Sequence, residues 1–172
     1  MASSAHALVF IEPMVGYGTG TATFKFSDST NSGSDEFDIK GLSYGIKGGL
    51  EIGGLQLGAE YLENKYKLDK TTGDFFEFDE KDYDIKETSA LIGYKFWFAR
   101  AYAGYIFNAK LDDSDFKAGK GHKFGLTFYA LTHLAISLEY KSVELGDFTD
   151  EGIKFENNYK TTSLIVSFPF GI

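Results

Sequence analysis

The sequence predicts an all-β protein, specifically an eight-stranded antiparallel up-and-down β-barrel. Three observations lead to this prediction. Eight stretches alternate apolar and polar residues with the period of a strand. The spacing between these stretches is alternately long and short. The polar face of most stretches is rich in glycine, which is unusual for a strand surface that faces water.

The eight stretches are predicted strands, and their centres lie near Val15, Ile46, Ala59, Ile92, Gly104, Gly125, Ser137 and Ile165. Short spacings indicate tight turns at Glu51-Ile52-Gly53-Gly54, at Trp97-Phe98-Ala99 and at Leu131-Thr132-His133. The longer spacings put the extended loops at the other end: Phe26–Asp38, Glu63–Asp84, Leu111–Ala118 and Ser142–Asn158. One rim with large loops and one with hairpins is typical of a transmembrane barrel.

The two faces of each strand decide between a membrane barrel and a soluble one. On the first strand, Val15 and Tyr17 share one face while Glu12, Gly16 and Gly18 share the other. A soluble barrel, which would carry a small ligand, turns the apolar face inward. A narrow membrane barrel turns it outward and fills its interior with small residues and polar side chains. The glycine-rich polar faces favour the membrane barrel.

The polar face carries single charges, which we expect inside the barrel. A buried charge is costly without a partner, so these residues are expected to form a salt-bridge network that plugs the lumen. A water-filled, charge-lined pore is the alternative. The predicted lumen charges are Glu12, Lys47, Glu60, Lys95, Arg100, Lys123 and Glu139.

Aromatic residues of the apolar faces are sorted to the two ends of the strands. Tyrosines lie towards the long loops, and phenylalanines and the tryptophan towards the tight turns, as in the paired girdles of membrane barrels. The predicted girdle residues are Tyr17, Tyr44, Tyr61, Tyr105, Tyr140, Phe96, Trp97, Phe128, Phe168 and Phe170.

Composition narrows the function classes. A net charge of −8 argues against non-specific binding of nucleic acid. The chain has no cysteine, which excludes disulfides. Residues 1–7 are predicted to be a leader or signal remnant, because Ala5-His6-Ala7 has the form of a signal-peptidase site. Residues 8–172 are predicted to form a single barrel domain.

Catalytic residues are not expected. His6 falls in the leader, and His122 falls on the lipid-facing register. His133, Ser137 and Glu139 share the inward register, but His133 and Ser137 are about 13 Å apart at ~3.3 Å per residue. A base must reach its nucleophile, so this trio fails.

The loops contain two acidic runs, Asp79–Asp84 and Asp112–Asp115. They could hold Ca²⁺ or Mg²⁺, although neither has the spacing of an EF-hand. A solvated acidic surface is the simpler interpretation, and no metal or cofactor is assigned. The run Phe75-Phe76-Glu77-Phe78 is either an extension of the barrel wall or an adhesive patch for a protein partner.

Three segments resemble the small outer-membrane β-barrel family, which includes OmpX, OmpW and the barrel domain of OmpA. They are Glu12–Gly18, Arg100–Tyr105 and Ser167–Phe170, and the resemblance spans about Phe10 to Phe170. It implies a bacterial outer-membrane location and assembly by the barrel-assembly machinery, for which the final aromatic looks like the signal. The chain departs from the family by ending two residues after Phe170.

From the sequence we expect a monomeric outer-membrane barrel with periplasmic termini, which is not an enzyme. The expected role is structural or surface interaction of adhesion type through long acidic external loops. A narrow channel or porin for ions or small solutes is the alternative. The expected partners are outer-membrane lipid and lipopolysaccharide, the assembly machinery and a surface protein.

Overall fold

Eight long strands form the wall of the barrel. The computed structural model describes residues 7–27, 32–72, 82–112, 117–150 and 153–171. The wall strands are β1 (Ala7–Ser27), β2 (Ser32–Ile52), β3 (Leu55–Thr72), β4 (Asp82–Phe96), β5 (Ala99–Leu111), β6 (Gly119–Leu131), β7 (Leu134–Glu144) and β9 (Ile153–Ser167). Two short strands complete the sheet: β8 (Phe148–Asp150) pairs with the beginning of β9, and β10 (Phe170–Gly171) pairs with β1.

The wall is an antiparallel meander that closes on itself. Strands β1 to β7 lie side by side in chain order, and β7 pairs with β9. The barrel closes where β9 pairs with β1, from Met14↔Ser167 to Ser27↔Lys154. The predicted eight-stranded up-and-down barrel is therefore confirmed. Closure removes free sheet edges, as backbone groups in lipid require. No helix in the described ranges is long and apolar enough to span a membrane.

The three predicted tight turns are confirmed. Gly53 and Gly54 connect β2 to β3 with φ of 58° and 90°, a backbone conformation that glycine adopts readily. Trp97 and Phe98 connect β4 to β5, and Trp97 has φ of 49°. Thr132 and His133 connect β6 to β7. All three turns lie at the same end of the barrel, which we call the turn end; the opposite end is the outer end.

Most of the described residues that were predicted to lie in long loops belong to strands instead, so the loop prediction is wrong for them. β1 continues to Ser27, β2 begins at Ser32, β3 continues to Thr72 and β4 begins at Asp82. The wall therefore continues far beyond the nine to eleven residues, approximately, that a tilted strand needs to span a bilayer. The strands continue because apolar and polar residues still alternate along them. In this outer part, however, the apolar residues occupy the inward face and the polar residues the outward face.

This change of face is clearest on β2. From Leu42 to Ile52 the apolar side chains point outward, whereas Phe37 and Ile39 point inward and are 1 % exposed. The outward neighbours of Ile39 are Asp38 and Lys40. The outward face of β2 is thus apolar and suited to lipid on the turn-end side of Gly41, and polar and suited to water on its outer-end side.

Some predictions lie outside the described residues. These are the leader segment 1–6, the run Phe75–Phe78, the acids at 79–81 and those at 113–115. Ala7, which the sequence assigned to the leader, already belongs to β1.

Candidate functional site

The interior of the barrel is the candidate site, because it holds charged residues in the part surrounded by apolar wall. Eight such side chains are at most 3 % exposed. Four are acids and four are bases, so their formal charges cancel. They are Glu12, Glu60, Glu87, Glu139, Lys47, Arg100, Lys123 and Lys141.

Nearest the turn end, Glu12 and Arg100 form a bidentate ion pair. Arg100 donates to the two carboxylate oxygens of Glu12 at 2.7 and 2.8 Å. The same guanidinium donates to Gln56 Oε1 and to Thr127 Oγ1, each at 3.2 Å. Thr127 is in turn 2.8 Å from Ser137. A planar guanidinium suits this arrangement, because it holds several acceptors in fixed directions.

In the middle of the lumen, one carboxylate is shared by two lysines. Glu60 pairs with Lys47 at 3.3 Å and with Lys123, which donates to its other oxygen. Lys123 is also 3.5 Å from Glu139. Tyr102 joins the two groups, since it donates to Glu139 at 2.7 Å and accepts from Lys47 at 3.2 Å.

Towards the outer end, the network continues through Glu87. Lys141 donates to Glu87 Oε1 at 2.7 Å, and Asn64 and Tyr159 donate to the same oxygen at 2.7 and 2.6 Å. Lys123 lies 3.9 Å from the second oxygen. The Arg100 guanidinium lies 5.5 Å from the ring centroid of Tyr102, and this cation–π contact joins the Glu12–Arg100 pair to the rest of the network. Each charge of the set has a partner of opposite sign.

Sequence reasoning missed Glu87 and did not count Lys141 among the lumen charges. Lys141 follows Glu139 on the same inward face, so the period-two pattern already marked it. Glu87 lies between the predicted loop Glu63–Asp84 and the assigned fourth strand, and Ser89 and Leu91 continue its face into that strand. Extending the alternation outward would have found it.

Lys95 does not join this network. Its side chain is 34 % exposed at the turn-end rim and lies 3.6 Å from Glu51 Oε2. Lys95 is the second residue before the β4–β5 turn, where the wall ends and water reaches the side chain. The other six predicted lumen charges are buried in the network.

Above the charges, the lumen is filled by an apolar cluster, which we call the upper core. It contains apolar side chains of seven wall strands, and Asp35, which is 1 % exposed, is buried on the same inward face of β2 as Phe37 and Ile39. Its buried members are Ala22, Phe37, Ile39, Tyr66, Leu68, Tyr83, Ile85, Ile106, Ala109, Val143, Leu145 and Tyr159. Tyr159 belongs to both layers, because its ring packs near Tyr83 while its hydroxyl reaches Glu87.

Outside, an apolar belt surrounds the level of the charge network. All ten predicted girdle residues are exposed, with the tyrosines at its outer margin and Trp97, 94 % exposed, at the turn end. An exposed apolar surface of this extent marks a membrane-facing wall. The protein is thus an outer-membrane-type barrel that spans its bilayer with the eight wall strands.

The outer end, beyond the tyrosines, carries mixed charge. Lys65 lies opposite Asp84, Lys67 opposite Asp82, and Lys120 opposite Glu144. The described residues of the predicted loops carry more acids than lysines, and several of these acids lie beside lysines on neighbouring strands. The pKa of Lys154 is raised by its hydrogen bonds to Glu156 and Asp147. Within the described ranges, no group of three or more potential metal ligands is arranged to hold an ion.

His133 was predicted to face inward, and this is wrong. It belongs to the β6–β7 turn, is exposed, and has Nδ1 3.2 Å from the carbonyl oxygen of Pro169. Its ring stacks on Phe170. Ser137 is buried beside Thr127, so the structure does not bring His133 and Ser137 together.

At the turn end the lumen opens into a cavity of about 510 Å³, which we call the vestibule. Its floor includes Glu12, Arg100 and Gln56, and Lys95 lies on its wall. Trp97, with Leu8, Phe98, Leu131 and Phe170, adds an apolar lining. The vestibule gives a small molecule room to enter the turn end of the lumen.

No protein-family model matches the chain, and no curated protein matches it. Solved structures do. Neisserial surface protein A is 18 % identical, with 91 % of this chain and 97 % of that chain covered and a TM-score of 0.47. The attachment invasion locus protein Ail of Yersinia pestis is 12 % identical, with 92 % and 99 % covered and a TM-score of 0.41. The outer membrane protease OmpT of Escherichia coli is 9 % identical, with 99 % of both chains covered and a TM-score of 0.47.

These neighbours are outer-membrane barrels, the class that the sequence resembles. One of the three is a protease by name.

Proposed function

We propose that this protein is a non-enzymatic, non-conducting barrel of the bacterial outer membrane that acts through its outer end as a structural or surface-interaction protein. The observation that carries the proposal is the double filling of the lumen. A connected network of eight charges is followed along the axis by the upper core, whose members are at most 8 % exposed. A solute crossing the barrel would have to displace both layers.

The proposal includes an orientation and partners. Tight turns are the periplasmic end of outer-membrane barrels, and both termini then lie in the periplasm because the strand number is even. Lipopolysaccharide and phospholipid surround a monomer whose wall has no free edge. The barrel-assembly machinery inserts it, and a surface protein meets the projecting strands.

The polar outward face of the projecting wall supports a role at the cell surface. β1 and β2 each have 21 residues, whereas β7 has 11, so the barrel is taller on one side. The tall side is packed internally by the upper core, and it therefore presents its outward lysines and acids on a stiff support.

A narrow channel is the alternative, and the charges at the middle of the lumen favour it, because exchange of partners among Lys47, Lys123 and Glu60 could open a polar path. Single-channel recording of the refolded protein in a planar bilayer separates the two. We expect a β-type circular dichroism spectrum and no discrete current steps. Steps whose ion selectivity changes in Glu60→Gln and Lys123→Gln would overturn the closed lumen.

The surface role is tested on whole cells. Cells that carry the protein and cells that carry the Phe75→Ser, Phe76→Ser, Phe78→Ser variant are compared for attachment to host-cell surfaces. We expect the variant to lose attachment while its amount in the outer membrane is unchanged. Equal attachment by cells with and without the native protein would contradict an adhesive role.

A further inference from the structure

The vestibule combines an apolar lining with a polar floor. Leu8, Phe98 and Leu131 line its sides, while Arg100 and Glu12 form the end nearest the network. Its volume of about 510 Å³ lies in the range of small-molecule sites, roughly 300–1,000 Å³. A ligand with an apolar tail and a polar head would match this division.

In the vestibule, several oxygen acceptors already receive hydrogen bonds, whereas two nitrogen donors lack a close acceptor. Both carboxylate oxygens of Glu12 accept from Arg100, and Gln56 Oε1 accepts from the same side chain. Glu51 Oε2 accepts from Gln56 at 2.6 Å. Arg100, which is 3 % exposed, nevertheless has a buried Nε with no hydrogen-bond partner in the described structure. Lys95 Nζ has its carboxylate neighbour, Glu51, only at 3.6 Å.

An unused N–H and a loosely paired ammonium both call for an acceptor with negative charge. A cationic head would meet the like charges of Arg100 and Lys95, and both oxygens of the Glu12 carboxylate already accept from Arg100. The complement is therefore an anionic oxygen group, such as a carboxylate, at the end of an apolar chain.

The vestibule also has a side that faces the lipid. The β7–β9 ladder stops at Ala135↔Ser167, and Phe170 and Gly171 pair with β1. Between the β6–β7 turn and this terminal segment, the described contacts are the His133 Nδ1 to Pro169 carbonyl contact and the His133–Phe170 ring stack. Proline has no N–H to extend the ladder here. An amphiphile in the bilayer thus has a short path to the cavity.

We propose that the vestibule binds a single-chain amphiphile with a carboxylate head, its head near Arg100 and Lys95 and its chain along the apolar lining. The site goes beyond the proposed surface function and does not depend on it. A closed lumen is tested by conductance, whereas the amphiphile site is tested by binding.

The chain offers two unique reporters of this binding. It contains one arginine, Arg100, and one tryptophan, Trp97, and both line the vestibule. The Nε–H of Arg100 and the indole N–H of Trp97 each give a single ¹H–¹⁵N resonance. The refolded protein in non-ionic detergent micelles is titrated with dodecanoate and, separately, with dodecanol.

We expect dodecanoate to shift the Arg100 resonance to saturation, and dodecanol to leave it in place. In Lys95→Gln, whose change lies at the half-exposed rim, we expect binding weakened by about fivefold. Lys86→Gln, an exposed lysine at the outer end, should bind as the native chain does.

An Arg100 resonance that does not saturate with dodecanoate would overturn the proposal. So would an equal response to dodecanol, or unchanged affinity in Lys95→Gln. The variant Arg100→Lys serves as a check on the resonance itself, because it removes the signal without removing the charge.

Discussion

The two halves of the lumen are built on opposite principles. Around Glu60 the interior is charged and the outward side chains are apolar, whereas around Ile39 the interior is apolar and the outward side chains are Asp38 and Lys40. One continuous strand, β2, contributes to both halves. The solvent outside the wall, lipid below and water above, decides which face of the strand is apolar.

The comparison shows that a membrane barrel can carry a soluble-type core on top of its membrane part. The upper core needs no lipid, because its apolar surface is covered by its own wall. The charge network needs the lipid-facing belt around it, since that belt holds the wall at this level in the bilayer. Mutations in the two halves should therefore differ in how strongly their effects depend on the surrounding lipid.

The largest expected effect comes from breaking the charge network. Glu60→Ala leaves Lys47 and Lys123 without their shared carboxylate and should cost about 3–5 kcal/mol of unfolding free energy. Urea unfolding in phospholipid vesicles, followed by Trp97 fluorescence, measures it. Glu144→Ala, an exposed acid on β7, is the control and should cost about 0–1 kcal/mol. Similar losses for the two variants would argue against a tightly coupled network.

Loss of volume in the upper core comes next. Ile39→Ala should cost about 2–5 kcal/mol, because it leaves a cavity in a packed cluster. The cost should be the same in vesicles of different acyl-chain length. Ile46→Ala, on the lipid-facing side of the same strand, should cost less and should vary with the lipid. Equal dependence on lipid at both positions would erase the distinction between the halves.

A charge placed on the belt tests the membrane half from outside. Ile92→Arg should cost about 2–4 kcal/mol, the penalty for arginine near the bilayer midplane, and Ile136→Arg, at a position paired with Phe128 of the turn-end girdle, should be unfavourable by less. Ser142→Arg, six residues further along β7, should cost about 0–1 kcal/mol, as expected near the interface. Unfolding free energies in vesicles provide the comparison. No loss for Ile136→Arg would mean that the assigned facing is wrong.

The smallest expected effect concerns space inside the membrane half. A Cβ on Gly125 would overlap the ring of Tyr102 and move its hydroxyl away from Glu139. Gly125→Ala should therefore cost about 1–3 kcal/mol. At Gly48 the nearest atom to an added Cβ is 3.6 Å away, so Gly48→Ala should be close to neutral. A neutral Gly125→Ala would show that Tyr102 can move freely.

The sequence predicts the lower half well and the upper half poorly. Val15 and Glu12 fall on their predicted faces, and Gly53-Gly54 forms its predicted turn, because period and turn chemistry are local. The upper half was interpreted as loop because its apolar residues, such as Phe37 and Tyr66, fall on the face that is polar below. The alternation was present, but its phase had changed.

The partners in the network could not have been derived from the sequence. Glu12 and Arg100 are 88 positions apart, and their contact depends on how the wall strands are staggered around the barrel. Spacing along the chain does not determine that stagger. The burial of Glu12 was predictable, whereas its partner was not.

A cysteine scan of β2 tests the change of face most directly. The chain has no cysteine of its own, so each single-cysteine variant carries one spin label. In vesicles, labels at Leu42, Tyr44 and Ile46 should be more accessible to oxygen, and those at Lys40 and Asp38 to a water-soluble nickel complex. A label at Ile39 should be accessible to neither. Oxygen-type accessibility at Lys40 and Asp38, or nickel access at Ile39, would contradict a barrel whose apolar face changes from outward to inward at Gly41.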